Sequence, residues 1–473
     1  MATITVTTTT DTVIPNDGAV SLREAIDAVD AGNNLGDPDI TAQSPGTFGT
    51  SDTIHFNIPG AGVHTIAPTS ALPSIGKPVT IDGYSQPGAS SNSNGPFAGT
   101  NAVLLIELNG SGAGPATYGL SINQSATVKG LVINRFSLGG MLLITSGANV
   151  IQGNYIGTNA AGTAAAPNGN GGLQIFGGSG SQIGGTDFGA GNLISGNTGA
   201  GIVIGSGSSN ITVRGNYVGT DSTGLHALPN SGSGVRLEQQ TTNVTIGGSV
   251  AGAGNLISGN GTSGVLIGDV VPSPVSSGHR LFGNRIGTAA NGYDPLPNGE
   301  NGVAILRSAT NNRIGGSNPG EGNIIAFNTL AGITMGSGPG DTTATANSVL
   351  TNSIFSNGGL GIDLGGDGLT ANDPKDPDVG VNGLQNAPAI FSANSSTTDV
   401  TLTGVATSTP NTPLLLQFYA NGALDDSGSG EGEAYLGSNL VLTDDKGNAL
   451  FNVTLPVGVP GGQIVTATAT DVS

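Results

Sequence analysis

Cysteine is absent from the 473 residues, so the chain has no disulfide, no thiolate metal ligand and no cysteine nucleophile. Tryptophan is absent as well, and aromatic residues make up only 4% of the sequence. Ligand clefts are usually lined by aromatic and apolar side chains. The chain therefore has little material for the aromatic platforms of a sugar-processing cleft.

Charged residues are scarce, at 9% against about 25% in a typical soluble protein. The 12 Lys and Arg residues face 31 Asp and Glu residues, which gives a formal net charge of −19. Nucleic acids and anionic membrane surfaces are bound through clustered cations. We therefore expect neither as a partner.

Long apolar runs are also missing, since no stretch approaches the roughly 18 residues of a spanning helix. We expect no membrane insertion. The first residues, Met1 to Val6, alternate as a strand does, so we expect that any export signal has been removed or was never present.

Glycine is abundant, with 83 residues, or more than twice the usual share of about 7%. Hydrophobic residues at 36% are too many for a disordered chain, and the absence of a Gly-X-Y period excludes collagen. The composition predicts a folded, turn-rich and mostly β protein whose surface is covered by Asn, Ser, Thr and Gly.

Three motifs recur with one common spacing of about 62 and then 68 residues. They are Gly153-Asn154-Tyr155-Ile156-Gly157-Thr158, repeated at 215–220 and 283–288; Ile183-Gly184-Gly185-Thr186, repeated at 246–249 and 314–317; and 191–197, repeated at 254–260 and 322–328. Self-similarity at a fixed period is the signature of a repeat architecture.

A shorter period of about 30 residues lies inside this one. Each interval begins with a glycine and an apolar–x–apolar triplet, and carries two or three strands too short to bury enough surface unless the intervals stack. The intervals begin at Gly119, Gly140, Gly172, Gly201, Gly234, Gly264, Gly302, Gly332 and Gly361. This pattern predicts an all-β, right-handed parallel β-helix of about 11–12 rungs. A β-propeller is the alternative, which the step near 30 and the unequal loops disfavour.

Repeated Gly-Asn pairs are typical of corners where the backbone must reach positive φ. Stacked from rung to rung, their side chains would hydrogen-bond along the axis. The asparagines concerned are Asn154, Asn192, Asn216, Asn255, Asn284 and Asn323. Scattered turn asparagines without such ladders are the alternative.

The stretch from Ser21 to Val29 predicts a short amphipathic helix, with a capping box formed by Ser21 and Glu24. An open β-helix exposes strand edges at its ends, so we expect this helix to cover one of them. Arg23 and Glu24 are accordingly interpreted as structural rather than catalytic.

The segment Asp17-Gly18-Ala19-Val20-Ser21-Leu22-Arg23-Glu24-Ala25-Ile26 resembles the Cys-Ser-Leu-Arg-Glu-Ala-Ile motif of large bacterial surface proteins, with Val20 in place of the cysteine. Thr80-Ile81-Asp82-Gly83-Tyr84 and the following residues, together with the Gly-Asn-Tyr-Ile-Gly-Thr repeats, are similar to the same family's right-handed parallel β-helix. The resemblance implies a secreted or cell-surface bacterial protein. It implies no activity, so no catalytic residue transfers from it.

The repeats end near Asn386, and longer alternating strands follow from Thr398. We expect residues 1–385 to form the β-helix, with an N-terminal cap over about residues 1–60. Residues 386–473 are expected to form a small β-sandwich of immunoglobulin-like architecture. This domain resembles the one that follows the β-helix in the same family.

Catalytic carboxylates were sought in the outward-facing positions after each glycine. The first outward row is Ser121, Leu142, Gln174, Val203, Arg236, Leu266, Ala304, Thr334 and Asp363; the next is Asn123, Ile144, Phe176, Gly205, Glu238, Gly268, Leu306, Gly336 and Gly365. No two carboxylates stack on neighbouring rungs. Arg236 and Glu238, with Arg307 nearby, are weak catalytic candidates, and a surface ion pair is the alternative interpretation.

The spacing of the most acidic segment does not match that of an EF-hand loop. Its carboxylates, interspersed with glycines, are candidates for a Ca²⁺ site, and a solvated loop is the alternative. They are Asp363, Asp367, Asp373, Asp376 and Asp378. A weaker acidic run comprises Asp425, Asp426, Glu431 and Glu433. Apart from Ca²⁺, no cofactor is expected.

These observations favour a non-catalytic, extracellular bacterial module that acts as a rigid spacer and contacts a polysaccharide or cell-surface glycan. The alternative is a β-helical polysaccharide lyase or glycoside hydrolase. An ice- or crystal-surface binder would need regular Thr-x-Thr ranks, which the outward rows lack. We expect a monomer or end-to-end association.

Overall fold

The structure, a computed structural model, describes residues 1–43, 46–49, 51–144, 147–268, 275–338, 340–425 and 428–473. Three long parallel sheets, with eleven, ten and nine strands in this part of the chain, wind around a common core, and two antiparallel sheets follow. The fold is a right-handed parallel β-helix with a C-terminal β-sandwich, which confirms the predicted fold class.

Each rung contributes a short strand to the faces of the β-helix. The first sheet contains Thr3–Val6, Asp52–Phe56, Val79–Asp82, Ala126–Lys129, Val150–Gln152, Gln182–Gly184, Thr212–Arg214, Thr245–Gly247, Arg280–Phe282, Arg313–Gly315 and Ser348–Leu350. The second contains His64–Ile66, Ile106–Asn109, Leu131–Asn134, Tyr155–Ile156, Leu193–Ile194, Tyr217–Val218, Leu256–Ile257, Arg285–Ile286, Ile324–Ala326 and Ser353–Phe355. The third contains Tyr118–Ile122, Gly139–Leu143, Gly171–Phe176, Ala200–Gly205, Val235–Leu237, Val265–Ile267, Val303–Ile305, Ile333–Met335 and Ile362–Leu364. A small parallel pair joins Ser276–Ser277 to Ala309–Thr310.

The interior is filled by stacked aliphatic side chains. In the first sheet, one register row is apolar from end to end, and nearly all of its members are fully buried. The row is Ile4, Ile54, Ile81, Val128, Ile151, Ile183, Val213, Ile246, Leu281, Ile314 and Val349. Period-2 alternation places these residues inward and their neighbours outward, so one continuous core runs along the axis.

The predicted asparagine ladder is confirmed. Each side-chain amide donates to the Oδ1 atom of the next asparagine over 2.8 to 3.1 Å, and the ladder continues past Asn323 to Asn352. A second ladder, not predicted, runs beside it. Its members are Asn168, Asn197, Asn230, Asn260, Asn298, Asn328 and Asn357.

The glycines that open the strands of the third sheet lie against the next rung. A Cβ atom on Gly234 would be 2.5 Å from Ile257 Cγ2 and 2.7 Å from the carbonyl oxygen of Gly264. The same pattern recurs at Gly172 and Gly302. Close stacking of the rungs therefore requires glycine at these positions, which explains why glycine recurs about every 30 residues.

The N-terminal end is covered by two helices, Leu22–Ala31 and Pro38–Gln43. The predicted capping box is present, since Ser21 Oγ accepts from the Glu24 backbone and Glu24 Oε2 accepts from the Ser21 backbone. Arg23 forms an ion pair with Asp11 at 2.8 Å. Arg23 and Glu24 therefore make structural contacts, and the absence of a catalytic role stays a prediction.

A long loop after the 3₁₀ turn Gly83–Ser85 crosses the outer face of the second sheet. It is anchored by a hydrogen bond from Tyr155 to Thr100 at 3.1 Å, and the Arg285 guanidinium lies 4.0 Å from the centre of the Phe97 ring. Another 3₁₀ turn, Gly110–Gly112, follows. This loop occupies the outside of the second sheet and so distinguishes it from the third.

The sandwich has two three-stranded antiparallel sheets in the described residues. One contains Ala389–Ser395, Val400–Thr407 and Asn448–Leu455; the other contains Ala434–Leu442, Pro413–Asn421 and Ile464–Asp471. The change from parallel to antiparallel pairing falls between Leu364 and Ala389, a segment with the 3₁₀ turn Val381–Leu384. Among the described residues, no helix has the length and apolar content that a membrane crossing requires.

Candidate functional site

A groove of about 800 Å³ runs along the outer face of the third sheet. It crosses six strands, from Gly171–Phe176 to Ile333–Met335, which is a length of roughly 24 Å at about 4.8 Å per rung. Strand side chains form its floor, and the turns that precede the strands form one wall. A groove of this length accommodates an extended chain that runs parallel to the axis of the β-helix.

The floor residues occupy one register position of the sheet. In order they are Gln174, Val203, Arg236, Leu266, Ala304 and Thr334. The row continues to Leu142 and Ser121 on one side and to Asp363 on the other. The first outward row predicted from the sequence is therefore confirmed, and the floor contains both aliphatic and polar side chains.

Gln174 is held by a residue two rungs away. Tyr118 donates its hydroxyl hydrogen to Gln174 Oε1 at 3.0 Å. The Tyr118 ring passes over Gly139, where an added Cβ would lie 3.0 Å from the ring. Because the oxygen of the amide is engaged by Tyr118, the NH₂ group of Gln174 is left to donate to a molecule in the groove.

Arg236 and Glu238 form an ion pair of 2.9 Å beside the floor. The Arg236 side chain is 42% exposed and that of Glu238 is 13% exposed. Between the Phe176 ring and the Glu238 stem lies Gly205, at which an added Cβ would be 3.1 Å from the ring and 3.2 Å from Glu238 Cγ. The glycine therefore allows the ring and the charged pair to lie side by side.

The wall formed by the turns is polar and mostly uncharged. It contains Asn170, Thr198, Ser231, Ser233, Thr262, Ser263, Glu300 and Asn301. Ser233 and Thr262 hydroxyls are 2.9 Å apart, and Ser263 Oγ donates to Glu300 Oε2 at 3.3 Å. The wall thus offers a row of hydroxyl and amide groups opposite the half-buried Phe176 and Leu306.

The carboxylates near the groove do not face each other. Glu300 precedes its strand and Glu238 follows its own, so they stand at opposite ends of parallel strands and two rungs apart. Acid–base hydrolysis of a glycoside uses two carboxyl groups about 5–10 Å apart across the bond. This arrangement offers hydrogen bonding and apolar contact rather than a facing carboxylate pair.

Arg307 lies apart from the Arg236–Glu238 pair. It follows the strand Val303–Ile305, two rungs beyond Arg236, and its Nε donates to Ser337 Oγ at 2.7 Å. The structure thus brings together two of the three residues proposed from the sequence as weak catalytic candidates. Their role in catalysis stays a prediction.

The predicted cation residues fall into two groups. Asp363 ends the floor row and accepts from the Gly368 backbone at 3.2 Å, while Asp367 is exposed. Burial raises the pKa of Asp363, and the charge of Asp367 adds to the shift.

The second group lies at the junction with the sandwich. Asp376 accepts from Asn386 N and Ser408 Oγ, each at 3.2 Å. Burial raises the pKa of Asp376 to about 6, and the charges of Asp373 and Asp378 contribute. Among the described residues, no group of three or more His, Asp or Glu side chains has the proximity to hold a metal ion. The Ca²⁺ site stays a prediction.

Glu431, a member of the weaker acidic run, has a structural role. Glu431 accepts from the backbone of Asn357 at 3.1 Å and from its side-chain amide at 2.9 Å, so it terminates the second asparagine ladder. Burial raises the pKa of Glu431. Asp425 accepts from Ser429 N at 3.0 Å, and Asp426 lies outside the described residues.

Sequence reasoning predicted a polar wall rich in Thr, Asn and Ser, but it missed the position of that wall and the orientation of Gln174. A signal for the wall was present, since an asparagine stands four residues before each strand glycine from Gly172 onward, as in Asn197 and Gly201 or Asn230 and Gly234. That spacing marks the second ladder and the wall turns that follow it. No comparable signal joins Tyr118 to Gln174, which are 56 residues apart in the chain.

No protein-family model matches the sequence, and no curated protein matches it. Among solved structures, the mannuronan C-5 epimerase AlgE4 A-module of Azotobacter vinelandii is 15% identical over 76% of this chain and 97% of its own, with a TM-score of 0.38. A mutant of the periplasmic alginate epimerase AlgG is 12% identical over 66% of this chain and 73% of its own, with a TM-score of 0.33. Tailspike protein 2 of Escherichia coli O157:H7 bacteriophage CAB120 is 12% identical over 89% of this chain and 56% of its own, with a TM-score of 0.27.

Proposed function

We propose that this protein is an extracellular bacterial surface module whose rigid β-helix binds a glycan in the third-sheet groove without converting it. The observation that carries the proposal is the two-sided composition of the groove. Val203, Leu266 and Ala304 form an aliphatic floor, and the wall beside them is a row of hydroxyl and amide groups. Selective sites combine apolar contact with a few well-placed polar groups in this way.

A pyranose ring has the matching character, because its faces carry C–H groups and its rim carries hydroxyls. Ring faces would lie on the floor and against Phe176, while the rim would exchange hydrogen bonds with the wall. Ser and Thr hydroxyls both donate and accept, so they suit sugar hydroxyls in either sense. The wall would bind several sugar units along its roughly 24 Å length.

Rigidity supports binding through preorganisation. The two asparagine ladders and the continuous core fix the strands beneath the floor. A preformed groove avoids the entropy cost of ordering loops when a ligand binds. The same rigidity suits a spacer that holds an adhesive surface away from a cell.

A secreted or cell-surface location accords with the composition. The surface is dominated by small neutral polar residues, and cysteine is absent. The net charge of −19 favours solubility and discourages contact with anionic surfaces. We infer that the module acts outside the cell as an adhesive or spacer element.

The test is a combined screen of the full chain for binding and turnover. Neutral and acidic polysaccharides are presented with and without Ca²⁺, binding is followed by affinity electrophoresis, and turnover is followed by unsaturated products and released reducing ends. We expect retarded migration on at least one polymer and no product. Retardation should weaken for Arg236→Ala and stay unchanged for Arg280→Ala, an exposed arginine of the first sheet.

Product formation would overturn the non-catalytic proposal in favour of a lyase or hydrolase. Glu238→Gln and Arg307→Ala would then show whether the sequence-derived candidates carry the reaction. A dependence of binding on Ca²⁺ that Asp363→Asn abolishes would support the acidic segment as its site.

A further inference from the structure

Few charges face the groove. Among its described lining residues, Arg236 and Glu300 are the ionisable ones. The positive charge of Arg236 is balanced by Glu238 at 2.9 Å, and Glu300 adds a negative charge on the wall. The groove therefore has no net positive charge, and it lies on a molecule whose formal charge is −19.

An acidic polysaccharide would meet a poor environment here. Each carboxylate or sulfate would lose hydration against neutral walls without gaining a cation, and burial of an unpaired charge is costly. The field of the whole molecule would also repel a polyanion before contact. Arg236 does not change this balance, because Glu238 at 2.9 Å already offsets its positive charge.

A neutral polysaccharide meets no such cost. Its hydroxyls match the wall, and its ring faces match Val203 and Leu266 on the floor. Gln174, which lines the groove, adds a directional element, since Tyr118 engages its oxygen at 3.0 Å and leaves its NH₂ group to donate. Gln174 is only 6% exposed, so its orientation is set by the protein rather than by solvent.

We propose that the groove selects an uncharged, linear polysaccharide that runs parallel to the β-helix axis, and that Gln174, positioned by Tyr118, determines which sugar is accepted. This inference rests on the proposed glycan-binding function and narrows its ligand class. Gln174 is the contacting donor, and Tyr118 is a positioning residue.

The experiment titrates the full chain with neutral and acidic polymers of matched backbone, namely a galactan with polygalacturonate and a mannan with polymannuronate. Titrations are run by calorimetry at about 20 mM and 200 mM salt, where the Debye length falls from roughly 20 Å to below 10 Å. We expect a neutral polymer to bind with an affinity that changes less than about twofold with salt. Its acidic counterpart should bind at least tenfold more weakly at low salt.

The possible failures are distinct. If an acidic polymer binds as tightly as its neutral counterpart or more tightly, the inference is overturned and the glycan groove stands. If no polymer of either kind binds, the proposed function itself fails. If the Gln174→Leu variant binds the neutral polymer as well as the unmodified protein does, Gln174 does not determine which sugar is accepted.

Two variants sharpen the test. Tyr118→Phe keeps the ring but releases Gln174 Oε1, so we expect a three- to tenfold change in the preference between galactan and mannan, with an unchanged unfolding temperature. Glu238→Gln combined with Glu300→Gln leaves Arg236 unbalanced, so we expect acidic polymers to bind at low salt and to be released at high salt. If the double variant binds acidic polymers no better than the unmodified protein does, the charge argument is contradicted.

Discussion

Asparagine side chains carry much of the regularity of this molecule at the scale of single residues. Asn216 donates to Ile183 O at 2.9 Å and to Asn255 Oδ1 at 3.0 Å, and it accepts from the amide of Asn192 at 2.9 Å. It is fully buried. An alanine there would leave donors and acceptors on both neighbouring rungs without partners.

We expect Asn216→Ala to lower the free energy of unfolding by about 3–5 kcal/mol, because an unsatisfied buried polar group costs about 1–3 kcal/mol. The matched control is Asn123→Ala, an exposed asparagine whose removal should change stability by less than about 0.5 kcal/mol. Denaturant unfolding of both variants is the measurement. Equal stabilities of the two variants would show that the ladder contributes little.

Asp376 should make the junction sensitive to pH. Its pKa in the folded protein, about 6, lies above the ordinary value of 3.8, so the folded state binds the proton more tightly than the unfolded state. Its stabilising contribution is therefore complete below about pH 4 and is lost as the pH rises through 6.

We expect Asp376→Asn to be more stable than the unmodified protein at pH 7 by on the order of 2 kcal/mol, with this advantage disappearing at pH 4. Asp378→Asn, a substitution of a neighbouring carboxylate at the same junction, is the comparison. Thermal unfolding of the three proteins between pH 4 and 8 measures the difference. A constant difference across this range would contradict the burial of a titrating carboxyl group at Asp376.

The ladders also show which contacts of single residues can be predicted from the sequence. The first was predictable because Gly-Asn pairs recur with the long period. The glycines of these pairs are required for two different reasons. Gly153 adopts a positive φ of 63°, which favours glycine, whereas a Cβ atom on Gly191 would collide with the carbonyl oxygen of Gly215. The contact of Tyr118 with Gln174 was not predictable, because it depends on which rungs are neighbours and on a ring that crosses Gly139.

Strand glycines set the spacing of the elements. Gly234 lies so close to the next rung that a methyl group would be 2.5 Å from Ile257 Cγ2. Neither the backbone of Gly264 nor the buried isoleucine has room to move, since both belong to the packed stack. Packing against the next rung therefore requires glycine at this position, which strand propensity alone would not.

We expect Gly234→Ala to destabilise the protein by about 1–3 kcal/mol, the usual cost of overpacking. Gly95→Ala is the control, because no atom lies within 4 Å of its added Cβ and its backbone is not in the left-handed region. Unfolding midpoints in denaturant separate the two. A neutral Gly234→Ala variant would mean that the rungs are more loosely stacked than the structure has them.

Elements were predictable where the period held. The outward rows, the N-terminal helix and the sequence of short strands all follow from local alternation and spacing. The small pair Ser276–Ser277 with Ala309–Thr310 and the loop across the second sheet were not predicted, because neither repeats. The groove wall falls between these cases. The asparagine four residues before the strand glycines from Gly172 onward is visible in the sequence, but the wall that it supports depends on how the rungs stack.

The whole molecule joins its two parts through the last rung. Ile354 N donates to Gly432 O at 2.9 Å, and Ser353 Oγ donates to Glu433 O at 2.6 Å, so a sandwich loop covers the edge of the second sheet. Glu431 completes this cover by accepting from Asn357. The sequence predicted that caps are needed, but it did not predict that an acidic loop of the sandwich supplies this one.

We expect Glu431→Ala to loosen the last rung, because Asn357 would lose the acceptors of its backbone and side-chain N–H groups. Amide hydrogen exchange in residues 353–358 should accelerate by about 10- to 100-fold, with each factor of ten equal to roughly 1.4 kcal/mol. Glu433→Ala is the matched control, since that carboxylate binds Gly422 N within the sandwich. Unchanged exchange in both variants would mean that the sandwich does not stabilise the β-helix end.

The groove spans six rungs and is therefore a feature of the whole molecule. The proposal that it binds a glycan is tested most directly by observing the bound sugar. The measurement is a crystal structure of the full chain grown with a neutral oligosaccharide that binds in solution. We predict intact sugar rings along the third sheet over Val203, Leu266 and Ala304, with the Gln174 amide donating to one of them. A sugar bound on another face, or a cleaved sugar in the groove, would contradict a non-catalytic glycan site at this position.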